Sequence, residues 1–193
     1  MEQVKATIAF PFPVGTSGYG ITIIAQEVCK ANGLTGDPAK LGPHATIIQP
    51  FLCEEKDLQI MAAMGRLVWG LNGQEHQARI ANFGIFGPAA PDSSIGAIYL
   101  ALEIPEHYRR TVERYKLNWP FPFVHPPART NATDRIWNPH ISVIEGPLLH
   151  EQARPLLSGL NGYVEDRIVH IGEPLVFRER KQGESKWWEQ VHV

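Results

Sequence analysis

The sequence is short of the residues that staple small proteins together. Its 193 residues include two cysteines, Cys29 and Cys53. They form no CxxC pair and belong to no Cys/His cluster, which argues against a structural zinc site. The pair leaves room for a single disulfide between them, with two buried free thiols in a reducing compartment the expected state. Apolar runs are short as well, and none approaches the roughly 20 residues of a membrane-spanning helix. The opening "MEQVKATIAFPFP" has an early acid and no small-residue cleavage site, so it reads as a first strand and the chain as cytoplasmic. An excess of charge of one sign is missing too: 18 Lys+Arg stand against 20 Asp+Glu, a net charge of −2. That lacks the basic face of a non-specific duplex-DNA binder, but leaves room for a small phosphorylated ligand held by a few local donors. The histidines show no HxH or HExxH spacing, so no metal ligands are assigned.

What is present is a regular alternation of elements. Strands are expected at 4–12, 44–51, 76–87, 94–104 and 137–146, within 163–180, and at 186–193. Helices are expected at 19–33, closed by Asn32-Gly33, at 54–73, with acids in its first turn, at 105–118, and at 148–160, where Pro155 is expected to interrupt it. Each half thus offers a helix, a strand, another helix and further strands, which suggests internal duplication. No low-complexity segment separates the halves, so residues 1–193 are expected to form one bilobal domain.

One device occurs twice. Pro43-His44-Ala45-Thr46-Ile47-Ile48 and Pro139-His140-Ile141-Ser142-Val143-Ile144 align without a gap. Residues i and i+2 of a strand share a face, so His44 neighbours Thr46 and His140 neighbours Ser142, while the residues between them point into a core. If the two strands lie side by side, two imidazoles face one gap with a hydroxyl beside each. Such a pair suits a phosphodiester. One neutral imidazole takes a proton from the attacking oxygen, and the other, protonated, gives one to the leaving oxygen. The hydroxyls donate to non-bridging phosphate oxygens as charge builds there.

The motifs "PHATI" and "PHISV" resemble the paired HxT/HxS signatures of the 2H phosphoesterase superfamily, which includes 2′-5′ RNA ligase-like proteins and cyclic phosphodiesterases. The resemblance extends over most of the chain: "TIAFPFP" is similar to the family's opening strand, "ARIANFGIFGP" to its mid-chain strand and "VFRERKQGESKWWEQVHV" to its closing hairpin. It implies an α+β, bilobal, pseudo-twofold (LigT-like) fold, with two mainly antiparallel sheets flanked by helices around a central cleft. It implies hydrolysis or transesterification of 2′,3′-cyclic, 2′-5′ or related phosphodiesters without a metal or other cofactor. His44, Thr46, His140 and Ser142 would be the catalytic set, and a nucleotide, cyclic nucleotide or short RNA the substrate. Many ligase-like members carry a basic residue shortly after the second motif, where this chain has Ile144-Glu145. That departure leans towards a small nucleotide or cyclic oligonucleotide. Further candidate substrate contacts are Arg129 and Arg135 for phosphate, and Phe12, Tyr19, Trp119 and Trp137 for stacking on a base. A binding module that holds phosphorylated nucleotides or RNA ends without turnover is the alternative from another class. A paired acid and base argues against it, because binding needs neither.

Overall fold

The computed structural model describes residues 3–34, 41–70, 76–86, 96–124, 137–146, 150–164 and 167–192. Among them, twelve elements run in the order β1 (Gln3–Pro11), α1 (Ser17–Ala31), β2 (His44–Glu54), α2 (Glu55–Gly70), β3 (His76–Phe86), β4 (Gly96–Glu103), α3 (Glu106–Leu117), β5 (His140–Gly146), α4 (His150–Val164), β6 (Ile168–Ile171), β7 (Leu175–Gln182) and β8 (Ser185–Gln190). No helix among the described residues is long and apolar enough to cross a membrane.

The strands form one sheet in the order β6-β3-β4-β5-β2-β1-β7-β8, and the described pairings are antiparallel. This corrects the expectation of two sheets. The two motif strands meet at Ala45↔Ile141, and that contact joins two four-stranded halves into one. The halves repeat an element order, β1-α1-β2-α2 and then β4-α3-β5-α4. One helix crosses between them: α1 packs on β5 and β6, while α4 packs on β3 and α2 on β7, β2 and β1, each within its own half.

Local chemistry explains the elements. Thr16 caps α1 by accepting from the Tyr19 N–H at 3.3 Å, and the helix ends at Asn32, followed by Gly33 at φ +75°. Ile21, Ala25 and Cys29, four residues apart, bury one face of it. Glu55 and Asp57 lie in the first turn of α2, where the helix dipole favours carboxylates. The chain continues as helix through Pro155, which corrects the expected interruption. The missing N–H removes one hydrogen bond, to Glu151, while Ala153, Leu160 and Val164 remain buried and hold the helix in place. The apolar core spans both halves, from Ile8, Phe10 and Ile48 to Ile98, Leu100 and Ile141. Both thiols are free and buried there, as expected.

Candidate active site

The two motif strands are built alike to a degree the sequence only hints at. From His44 to Gln49 the side chains run half-buried, buried, half-buried, buried, buried, exposed, and from His140 to Glu145 they repeat that series. The cause is a β-bulge at the same point in each. Ala9 pairs with Thr46 but Ile8 with Ile48, so Ile47 is an extra residue. Tyr99 pairs with Ser142 but Ile98 with Ile144, so Val143 is the extra residue. A bulge breaks strict alternation, which lets two consecutive aliphatics bury together and moves everything after them to the other face. The freed backbone groups find side chains. Gln26 of α1 donates to the Val143 carbonyl at 2.9 Å, and Thr7 donates to the Ile48 carbonyl at 2.7 Å.

Both histidines stand at the first residue of their strands and share one hydrogen-bond arrangement. His44 Nδ1 lies 2.8 Å from the Gly42 carbonyl, and His140 Nδ1 lies 2.8 Å from the Asn138 carbonyl, each two residues back. A carbonyl only accepts, so Nδ1 carries the hydrogen and Nε2 is the basic nitrogen of the neutral ring. Burial pushes both imidazoles below the ordinary histidine value. The carbonyl bonds and the charge of Glu145 pull both back up, while His140 depresses His44 further and Lys116 depresses His140. The imidazoles therefore share one electrostatic environment. The Thr46 and Ser142 hydroxyls, half-buried beside them, have no hydrogen-bond partner among the described residues.

An aromatic stack adjoins His140. The Phe86 and Tyr99 rings lie 3.9 Å apart at 23°, and the His140 ring meets them edge-on at 4.7 and 5.6 Å. Tyr99 reaches over Gly84, where a Cβ would come within 2.4 Å of its ring. Sequence reasoning missed both Phe86 and Tyr99. Their signal was the alternation in "NFGIF", which puts Gly84 and Phe86 on one face.

The other sequence candidates separate. Phe12 is 2% exposed and packs against Gly18, and Trp137 is 3% exposed, tilted against Phe10 and donating its indole N–H to the Thr46 carbonyl. Both rings are committed to the interior, which corrects the expectation that they stack on a base. Trp119 packs edge-on against Phe51 at 4.7 Å. Phe51 pairs with Ala6, on the face opposite Thr46 and its partner Ala9, so Trp119 is also removed from the histidine side. Tyr19 is half-buried in the first turn of α1. Arg129 and Arg135 lie outside the described residues.

No protein-family model and no curated protein matches the sequence. Solved structures are similar. TT0787 of Thermus thermophilus superimposes with a TM-score of 0.56 at 15% identity, over 97% of this chain and 95% of that one. Usb1 of Kluyveromyces marxianus superimposes with a TM-score of 0.51 at 10% identity, over 97% of this chain and 98% of that one. Both superpositions run over nearly the whole of each chain and show a shared fold. In this fold the two bulged strands stand at the centre of the sheet, each with a histidine at its first residue.

Proposed function

We propose that the protein is a metal-independent phosphodiesterase acting on a nucleotide-type phosphodiester: 2′,3′-cyclic, 2′-5′ or a cyclic oligonucleotide. The observation that carries this reading is the matched pair of Nδ1–carbonyl bonds, which leaves two Nε2 atoms on strands joined at Ala45↔Ile141. One neutral Nε2 takes the proton from the attacking water. The other imidazole, protonated, delivers its proton to the departing ester oxygen, so the pair ends with its protons exchanged and one phosphate ester bond cut. Lowered pKa values suit a pair that must hold one proton and not two. Thr46 and Ser142 donate to the non-bridging oxygens, and the half-buried Lys116 adds positive charge on the His140 side.

The repeated element order and the twin bulges support a pseudo-twofold, bilobal arrangement with a central cleft between the halves. The exposed side of the Phe86–Tyr99 stack supports placing the nucleobase next to His140. Tyr19, Arg129 and Arg135 remain candidate contacts.

The test is hydrolysis of 2′,3′-cyclic nucleotides, 2′-5′ dinucleotides and cyclic dinucleotides in excess chelator. Wild type is expected to turn over at least one class. His44→Ala and His140→Ala are each expected to lose about 10²- to 10⁴-fold in kcat. Activity that survives both substitutions, or that disappears on chelation, overturns the mechanism.

A further inference from the structure

The β5 bulge decides where Glu145 points. Across β3, β4 and β5 the register gives three rows: Asn82–Ala101–His140, Gly84–Tyr99–Ser142 and Phe86–Ala97–Glu145. Paired residues on neighbouring antiparallel strands share a face, and Ala97, Tyr99 and Ala101 alternate along β4, so all three rows share one face. Without the extra Val143, Glu145 would point away from His140. With it, the carboxylate joins the face of the motif histidine. It is exposed, without a hydrogen-bond or ion-pair partner among the described residues, and its charge reaches both imidazoles.

We propose that the Phe86–Ala97–Glu145 row is a nucleobase subsite that selects guanine. This rests on the phosphodiesterase reading for the position of the scissile phosphate beside His140. Phe86 stacks on Tyr99 and meets the His140 ring at 4.7 Å, and it is still 39% exposed, so the part of the ring that faces neither offers a stacking surface. Ala97 between the two ends is small and keeps the floor of the row low. The backbones of β3 and β5 stand about 10 Å apart across β4, a span that a base stacked at one end and a glutamate side chain at the other can bridge.

The selection follows from hydrogen-bond chemistry. An ionised carboxylate has acceptors only, and bonds to it are charge-assisted. Guanine presents two adjacent donors, N1–H and the 2-amino group, which match two carboxylate oxygens. Adenine and cytosine set a ring-nitrogen acceptor beside their amino group, and uracil flanks its N3–H with two carbonyls, so each meets repulsion. A second phosphate at this place is repelled too, which gives Glu145 a physical role where a basic residue was expected. The first half of the chain lacks the device. Opposite Thr46 stands Ala9 where Tyr99 stands opposite Ser142, and Gln49 ends the burial series where Glu145 ends the other. The base is therefore placed on the His140 side alone.

The experiment compares kcat/KM for 2′,3′-cyclic GMP, AMP, CMP and UMP in wild type, Glu145→Gln and Phe86→Ala. The readout is the GMP/UMP ratio, which cancels any effect of position 145 on the imidazoles. Wild type is expected to favour GMP by about tenfold or more. Glu145→Gln is expected to bring the ratio close to one, and Phe86→Ala to raise KM for all four. A wild-type ratio near one, or a ratio unchanged in Glu145→Gln, overturns the subsite. If wild type turns over none of the four, calorimetric titration with 3′-GMP and 3′-UMP decides the subsite separately from the reaction. Tighter GMP binding that Glu145→Gln abolishes supports it, and equal or absent binding overturns it.

Discussion

The indole N–H of Trp137 donates to the backbone carbonyl of Thr46 across 2.9 Å. The segment leading into His140 is thereby pinned to the strand that carries His44. Its backbone N–H also meets the Glu113 carboxylate, at 3.4 Å, which ties α3 to the same point. The ring itself is buried against Phe10, so this is a packed joint between the motif strands.

Trp137→Phe keeps most of the apolar contact and removes the indole donor, leaving the Thr46 carbonyl without that partner. A stability loss of about 1–3 kcal/mol is expected, read as a shift in the urea midpoint. Because the joint positions both imidazoles, kcat is expected to fall while KM stays within about twofold. An unchanged kcat in a folded variant means the joint does not position the pair.

The pH dependence has a defined sign. Burial holds both histidines below 6.5 in the folded protein, so between their folded values and 6.5 the unfolded chain binds more protons. Stability is therefore expected to rise with pH through that window and level off above it. His44→Gln and His140→Gln should each flatten part of the rise in denaturation curves taken from about pH 5 to 8. For activity, the kcat/KM profile reports the free enzyme's pair, so the bell should centre below pH 6.5. Glu145→Gln removes a charge that raises both groups and should move the bell lower still.

Gly84→Ala tests the aromatic stack without touching an aromatic residue. The new Cβ would fall 2.4 Å from the Tyr99 ring, so the ring must leave its place against Phe86. A cost of about 1–3 kcal/mol is expected from overpacking, with KM for nucleotide substrates rising more than kcat falls. Native-like KM in this variant would remove the stack from the binding argument.

The thiols should be inert. Burial, with a smaller contribution from Asp57, pushes Cys53 up to about 11, and burial raises Cys29 as well. Little thiolate forms at about pH 8, and both sulfurs lie inside the core. An aromatic disulfide reagent at that pH is expected to label neither site in the folded protein and both in denaturant. Rapid labelling before unfolding contradicts the packing around β2 and α1.

Much of this is legible in the residues. The strand and helix positions follow from period and punctuation, and the paired motifs with their shared His-x-hydroxyl spacing carry the proposed chemistry. Less visible is anything that depends on pairing between strands. Whether two halves close into one sheet depends on the edge contact at Ala45↔Ile141, which no local pattern encodes. Phe12, Trp119 and Trp137 are candidates by residue type, and type does not say which face of a sheet a ring will meet. Glu145 stands out in the sequence as a departure, but strict alternation would turn it away from the site. The clue is the doubled aliphatic, Ile47-Ile48 and Val143-Ile144, where a period of two fails in both copies at the same step.

The described pairing between β2 and β5 is the single rung Ala45↔Ile141, next in sequence to both histidines. Neighbouring strands elsewhere in the sheet share several. The gap between the imidazoles is thus calibrated by one backbone coupling, with Trp137 as its lock. The seam is braced beyond that rung by the apolar core that spans both halves and by α1, which packs across it onto β5 and β6.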